Sequence, residues 1–399
     1  MKEMEKSGFE KSVQQITVSI FFLFTYLEII SLSAFPNVHG FLGGKSLILF
    51  VLVLILFVIG LLTPKTLRQI LFWVVGIILI FINYHYLHDL QANIIYQLVI
   101  VLALPGLAIS FEKLVKAHLT AMLFGTSSVI LMSLVGYLPR SGSEATVLFS
   151  AYQNTVFAFG FNHPNFLGAL VSFIAIEYVF LNKYSLKKSV MIITIITLVI
   201  DFYLGANTSL FGLSIVFTGY IFNNKKQIKS RLIFTVGIFF VPIFVCLFAF
   251  WIANQQGSSV FQIINKLVSS RPALWSYYLT NFRVNWFGSN VVLNLNSGAF
   301  ATFGNGILDG SYVYLPLYYG WAGLILFIIS LYSIFLIFLE TKESLYLYVF
   351  LALGLMAFPE NESSLFSISI FLTIIGYFQF DYQRRKKMFQ KSEDLHDTR

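Results

Sequence analysis

Long apolar runs separated by short polar connectors recur along the whole chain, and nowhere do apolar and polar residues alternate in the manner of a barrel strand. The runs lie near 13–33, 46–63, 70–84, 95–110, 119–137, 165–181, 190–205, 207–222, 232–252, 312–339, 346–358 and 364–380, with 346–358 the weakest. A span of roughly 17 to 25 apolar residues crosses hydrocarbon at helical rise, and its backbone must satisfy its own hydrogen bonds there. The pattern predicts an all-α fold of about twelve transmembrane helices, forming a single integral membrane domain over residues 1–399. One segment breaks the rhythm. Residues 253–311, between the ninth and tenth spans, are polar and aromatic, and only there is enough polar chain available to build a sizeable site outside the bilayer. Within it, Phe261, Ile264, Leu267 and Val268 recur at helical spacing, predicting an amphipathic segment on the membrane surface. Ser269-Ser270-Arg271-Pro272 interrupts that segment, and a second helix is expected from near Pro272 towards Phe282, with Arg271 at its mouth.

Composition excludes a soluble globule: of 399 residues 57% are apolar, 18% aromatic and only 11% charged. The charged segment Met1 to Ser12 precedes the first span without a small-residue cleavage site, which reads as a retained first helix. Placing the N-terminus in the cytoplasm puts 21 of the 26 basic residues inside and leaves Lys45, Arg140, Lys266, Arg271 and Arg283 outside. That asymmetry predicts an even number of spans with both termini cytoplasmic, the charged stretch 381–399 forming the C-terminal tail. The net charge of +8 is thus a topology signal and calls for no nucleic acid. Cys246, the single cysteine, lies in an apolar span and supports neither a disulfide nor a thiolate metal site. No inverted internal repeat is visible.

Three of the five outer basic residues, Lys266, Arg271 and Arg283, fall within eighteen positions. A guanidinium beside free N–H groups at a helix N-terminus suits a phosphate or diphosphate, and the same residues equally suit lipid headgroups. Around them Trp275, Tyr277, Tyr278, Phe282, Trp286 and Phe287, with Asn281, Asn285, Asn290, Asn294 and Asn296, suit either a carbohydrate or an aromatic belt. In Gly160-Phe161-Asn162-His163-Pro164-Asn165 the proline marks a helix start and puts His163 at the N-cap. The positive helix end keeps an imidazole neutral there, as a simple cap or as an acceptor or general base towards a hydroxyl. Asp309, the only acid in 253–311, either orients an arginine or activates a hydroxyl, or is an ordinary turn residue before Gly310. His85, His88 and Asp89 lack a clear third metal ligand, so no cofactor is expected. Glu28, Glu177 and Asp201 lie within spans, where charge is costly; Glu28 and Asp201 are expected to face the outer cavity and Glu177 to snorkel inward. Pro359-Glu360-Asn361-Glu362 forms an acidic outer turn.

Phe159 to Gly168 (Phe-Gly-Phe-Asn-His-Pro-Asn-Phe-Leu-Gly), Ser269 to Trp275 (Ser-Ser-Arg-Pro-Ala-Leu-Trp), and Leu308 to Tyr312 followed by Tyr319-Gly320 resemble bacterial Wzy-type polysaccharide repeat-unit polymerases, within the O-antigen polymerase and ligase group. The resemblance implies a metal-independent membrane glycosyltransferase at the outer face of the bacterial cytoplasmic membrane. It would join oligosaccharide units carried on undecaprenyl diphosphate. It further implies Arg271 on the lipid diphosphate, and His163 or Asp309 handling the acceptor hydroxyl. Arg283, Lys266, Asn162, Asn165, Trp275 and Tyr312 are the accompanying substrate-binding candidates. Expected partners are lipid-linked oligosaccharides, membrane lipid, a flippase and a chain-length regulator. The chain departs from the family at Asp309-Gly310, where many relatives place asparagine second. A ligase of finished glycan and a transporter or flippase of lipid-linked oligosaccharide are the alternatives.

Overall fold

The computed structural model describes residues 2–36, 45–63, 65–87, 93–140, 142–146, 153–223, 232–288, 291, 308–365 and 368–389. Among these, every apolar run coincides with a helical segment. In chain order these are α1 (Lys2–Ser31), α2 (Lys45–Leu62), α3 (Leu67–Leu87), α4 (Asn93–Gly106), α5 (Phe111–Leu134), α6 (Pro164–Leu181), α7 (Lys188–Leu204), α8 (Asn207–Asn223) and α9 (Leu232–Ala253). Two short helices follow, α10 (Ser259–Leu267) and α11 (Arg271–Asn281), then α12 (Ser311–Thr341), α13 (Ser344–Met356), a 3₁₀ helix over Ile370–Gln379, and α14 (Tyr382–Phe389). Among the described residues, five helices are long and apolar enough to cross a membrane: Glu10–Ser31, Phe111–Leu134, Pro164–Leu181, Thr235–Ala253 and Ser311–Thr341.

Helix α7 shows why the surroundings must be apolar. It buries Thr194, Thr197 and Asp201 and turns Ile192, Ile195, Ile196 and Val199 outward. In water that inversion would leave the polar side chains without solvent and the isoleucines without a core; in hydrocarbon it satisfies both. The bundle is built by α1 on α5, α2 on α4, α6 on α7 and α8, α8 on α13, and α12 on both α13 and the 3₁₀ helix.

Two segments depart from the all-α expectation. Residues 142–146 and 153–157 pair as a two-stranded antiparallel ribbon, β1 (Gly142–Thr146) and β2 (Gln153–Phe157), in a connector that carries no helical period. The last apolar run winds as 3₁₀ rather than α over Ile370–Gln379. At about 2.0 Å per residue the tighter helix stretches ten residues further than an α-helix does. Its far end is pinned to α4 and its turn by Tyr377 Oη donating to Ile109 O (2.8 Å) and by Gln379.

The contacts sort the connectors onto two ends. At the basic end, Lys183 pairs with Glu343, Arg385 with Glu340, and Phe389 packs on Phe111. At the opposite end, Ala34 N–H donates to Gly160 O (2.8 Å), and the residues following α9 meet those leading into α12 and those leaving α13. Arg140 belongs to that second end but is spent on structure, donating to the last carbonyls of α5 at Leu134 (2.8 Å) and Ser133 (3.4 Å).

Helix α12 is broken at Gly320, where φ 73° and ψ −179° fall in a region open essentially to glycine alone. The break frees amides, and the polar loop takes them: Trp321 N–H donates to Asn285 O and Ala322 N–H to Trp286 O, each 3.0 Å. A Cβ at Gly320 would lie 2.3 Å from Trp286 O, so the same glycine permits both the bend and the close approach of the loop.

Candidate functional site

The site is assembled from four stretches at the end opposite the basic one. The first is the corner between α10 and α11. Helix α10 is the amphipathic segment the sequence predicts: Ser258 Oγ caps it at Phe261 N (3.1 Å), Phe261 points into the protein, and Val260, Ile263 and Leu267 are exposed. The chain then turns through two left-handed residues, Ser269 (φ 53°) and Ser270 (φ 66°). Asn265 clamps this corner, its carbonyl accepting from Ser270 N (2.7 Å) and its side-chain oxygen from Ala273 N (3.0 Å). Helix α11 therefore begins as expected with Arg271 and Pro272, but its first-turn amides are not free for an anion. Arg271 N donates to Val268 O, Ala273 N to Asn265, and Pro272 has no N–H.

Arg271 is 8% exposed and is held by carboxylates. Its Nη2 donates to Glu360 Oε1 (2.5 Å) and to Asp309 Oδ2 (3.2 Å), and its Nη1 to Val268 O (3.2 Å). Nε is buried with no partner among the described residues. Burial opposes the charge, but Glu360 and Asp309 outweigh it and hold the guanidinium ionised.

The second and third stretches supply the acids. Leu308 to Ser311 is locked to the turn after α13: Asn361 Nδ2 donates to Leu308 O (2.7 Å), and Ser311 Oγ to Glu360 O (2.9 Å). Trp275 Nε1 donates to Asp309 O at 2.5 Å. Gly310 sits at φ 94°, and a Cβ there would lie 2.7 Å from both Phe358 O and the Trp275 ring. No side chain fits at this position.

One guanidinium faces three carboxyls. Burial raises the Glu360 carboxyl to about 7 against the pull of Arg271. Burial, then the neighbouring Glu360 and Asp309, push Glu362 well above the ordinary carboxylate range. Burial also raises Asp309, opposed by Arg271 and His163. Like charges this close do not all ionise together, so the cluster stores protons near neutral pH.

The fourth stretch brings His163. It is the N-cap of α6, with φ −146° and ψ 140°, and Pro164 follows at the first helical position. Asn165 N–H donates to His163 Nδ1 (3.1 Å). Desolvation lowers the His163 pKa, Asp309 acts to raise it and Arg271 to lower it, so the imidazole is neutral and within electrostatic reach of both. A neutral ring whose Nδ1 accepts must carry its hydrogen on Nε2. His163 therefore offers a donor to the site, while the lone pair needed by a general base is occupied by the cap.

The remaining candidates separate into holders and surface residues. Trp275 and Tyr312 are 0% exposed, their polar atoms given to Asp309 O and Gly354 O (2.8 Å), so neither presents a face to a ligand. Asn162 is exposed beside His163 and Asn165 half-buried; Lys266 and Arg283 are exposed and do not enter the ion pairs of the cluster. Glu177 does not snorkel: it is fully buried and meets His118 Nδ1 at 2.7 Å. Asp201 is buried and accepts from Ser172 Oγ. Glu28 is 6% exposed near the end of α1. His85 is exposed on α3, while His88, Asp89, Asn290, Asn294, Asn296 and the tail beyond 389 lie outside the described residues.

Glu360, Glu362 and the clamp Asn265 complete the site without having been assigned to it from sequence. The acidic turn was visible; its partner, 89 positions away, was not. Below the cluster an apolar groove of about 390 Å³ runs between α8, α9 and α13, lined by Phe211, Val245, Phe248 and Leu355 and ending at Phe358 and Pro359, next to Glu360. Comparison with family models, with curated proteins and with solved structures finds no match to this chain.

Proposed function

We propose that the protein is a polymerase of surface polysaccharide. It would join undecaprenyl-diphosphate-linked oligosaccharide units at the outer face of a bacterial cytoplasmic membrane, with both termini inside. The observation that carries this reading is the Arg271–Asp309–Glu360 cluster with neutral His163 within electrostatic reach, placed at the head of an apolar groove. A lipid-linked glycan needs those parts together: a groove for the isoprenoid chain, fixed charge for the diphosphate, and a proton acceptor for the incoming hydroxyl.

The acceptor hydroxyl attacks the anomeric carbon of the donor glycan as the bond to the diphosphate oxygen breaks. Its proton passes to Asp309, the more open of the two acids paired with Arg271, with a side chain 25% exposed against 12% for Glu360. Arg271 and the Nε2–H of His163 meet the charge that develops on the leaving diphosphate. Because three acids already surround Arg271, the diphosphate approaches most readily when Glu360 and Glu362 hold protons, which their burial favours. The decisive experiment gives purified protein in detergent defined lipid-linked repeat units. Growth of chains on lipid supports the reading; unchanged single units end it. Transfer of preformed long chains to a second acceptor would point to a ligase.

The buried His118–Glu177 pair favours a second reading, a proton-coupled transporter, because transporters place ionisable groups within the spans. Detergent solution has no second compartment, so polymer formation there decides against transport.

A further inference from the structure

A cavity of about 820 Å³ opens at the basic end between α1 and α5, far from the Arg271 cluster. Lys11, Lys113 and Lys116 converge on it, and neither Glu10 nor Glu112 is among its walls. Glu112 acts on Lys183 and Tyr346, which places its charge towards α6 and α13 instead. Elsewhere at this end the buried cations are matched, Lys183 by Glu343 and Arg385 by Glu340. Among the described residues the three groove lysines form no ion pair, so the cavity carries uncompensated positive charge.

Its polarity is graded. Along α1 the wall runs Lys11, Gln15, Val18, Phe22, spacings of four, three and four residues that keep one helix face towards the cavity. Both α1 and α5 enter the bundle from the basic end, so the cations lie at the mouth beside Ile109, Gln14 and Gln15, and the uncharged wall of Val18, Ser19, Phe22 and Thr120 lies deeper, Lys11 and Phe22 being about 16 Å apart along the helix axis. A free anion would use only the mouth. A molecule with an anionic head and a hydrocarbon chain matches the whole wall.

We infer that this groove is a binding site for one anionic phospholipid, its phosphate on Lys11, Lys113 and Lys116 and an acyl chain along Val18 and Phe22. The assignment is independent of the polymerase reading; basic pockets between helices at a negatively charged leaflet bind headgroups in this way.

Full-length protein, delipidated in detergent, is titrated with phosphatidylglycerol or phosphatidylcholine and read by native mass spectrometry. Wild type should retain phosphatidylglycerol at least roughly tenfold better than phosphatidylcholine. The K11Q/K113Q/K116Q variant should lose that preference. All three lysines are exposed, so the fold is retained, and an unchanged melting temperature checks it. K188Q, which removes an exposed lysine at the same end but outside the groove, should keep the preference. Equal retention of both lipids by wild type, a persisting preference in the triple variant, or an equal loss in K188Q would overturn the inference. So would full displacement by millimolar inorganic phosphate, which would mark a free-anion site.

Discussion

The two ends of the bundle both hold buried ion pairs, but they balance charge differently. At the basic end, among the described residues, each buried cation is matched by an ion pair: Lys183 with Glu343, Arg385 with Glu340. At the other end a single guanidinium faces Asp309, Glu360 and Glu362, and Arg271 Nε, Glu362 Oε2, Asn361 Oδ1 and Ser363 Oγ are buried without partners among the described residues. A matched pair is a fastening, replaceable by apolar residues of similar volume at little net cost. An unmatched cluster with spare donors and acceptors is expensive to keep and is retained where a ligand completes it.

The largest effect should come from removing the centre of the unmatched cluster. Arg271→Ala should lower chain growth by about 10²- to 10³-fold, and by leaving buried acids unpaired it should cost roughly 3 to 5 kcal/mol of stability. The sharper test pairs substitutions. K183M/E343L should keep near-normal folding and activity, whereas R271M/E360L, which still leaves Asp309 and Glu362 without the guanidinium, should lose stability and make no polymer; full activity in the latter would erase the distinction between the ends. His163→Asn comes next. Asparagine can still cap α6 but offers a different donor geometry, so melting temperature should hold while chain growth falls about 10²-fold.

Protonation gives a third test. Glu360 is raised by burial to about 7, so above that pH it gains a negative charge beside Arg271. Pyrophosphate binding, followed by calorimetry and corrected for the ligand's own ionisation, should weaken as pH rises through about 7, and Glu360→Gln should reduce the dependence, Glu362 carrying the remainder. The sign for stability is the same. A carboxyl raised from 4.5 favours the folded state while it is protonated, so its contribution is present below 4.5 and lost as pH rises through about 7.

Smaller effects test the frame. Gly320→Ala forces a Cβ against Trp286 O and should cost about 1 to 3 kcal/mol, read as a lower melting temperature and faster proteolysis near 285–288. Trp275→Phe keeps an aromatic ring but loses the bond to Asp309 O and part of the buried indole volume, costing about 1 to 3 kcal/mol with a modest loss of activity.

The bundle was legible because a helix in hydrocarbon must advertise itself as an uninterrupted apolar run. Much of the site was legible for a related reason: in so apolar a chain, a basic residue on the sparsely charged side, a lone acid in a long loop and a histidine before proline each stand out. What local pattern does not carry is pairing across the fold. Nothing near Arg271 specifies Glu360, and nothing near Glu177 specifies His118, 59 positions away. Nor does composition separate an aromatic belt from a packed core, so Trp275 and Tyr312 looked like contact surfaces and are internal braces. The break in α12 was hidden because one glycine among aromatics scarcely alters an apolar run.

That break has a consequence for how the chain between residues 288 and 308 is tethered. The loop is stapled to α12 at Trp321 and Ala322, then returns to the start of the same helix at Ser311. The two moorings lie ten residues apart on α12, on either side of its break at Gly320. A loop whose two ends are fixed can change length cheaply, each doubling costing only about 0.6 kcal/mol in closure entropy. Insertions or deletions between the two moorings should therefore leave Asp309 and Arg271 in place.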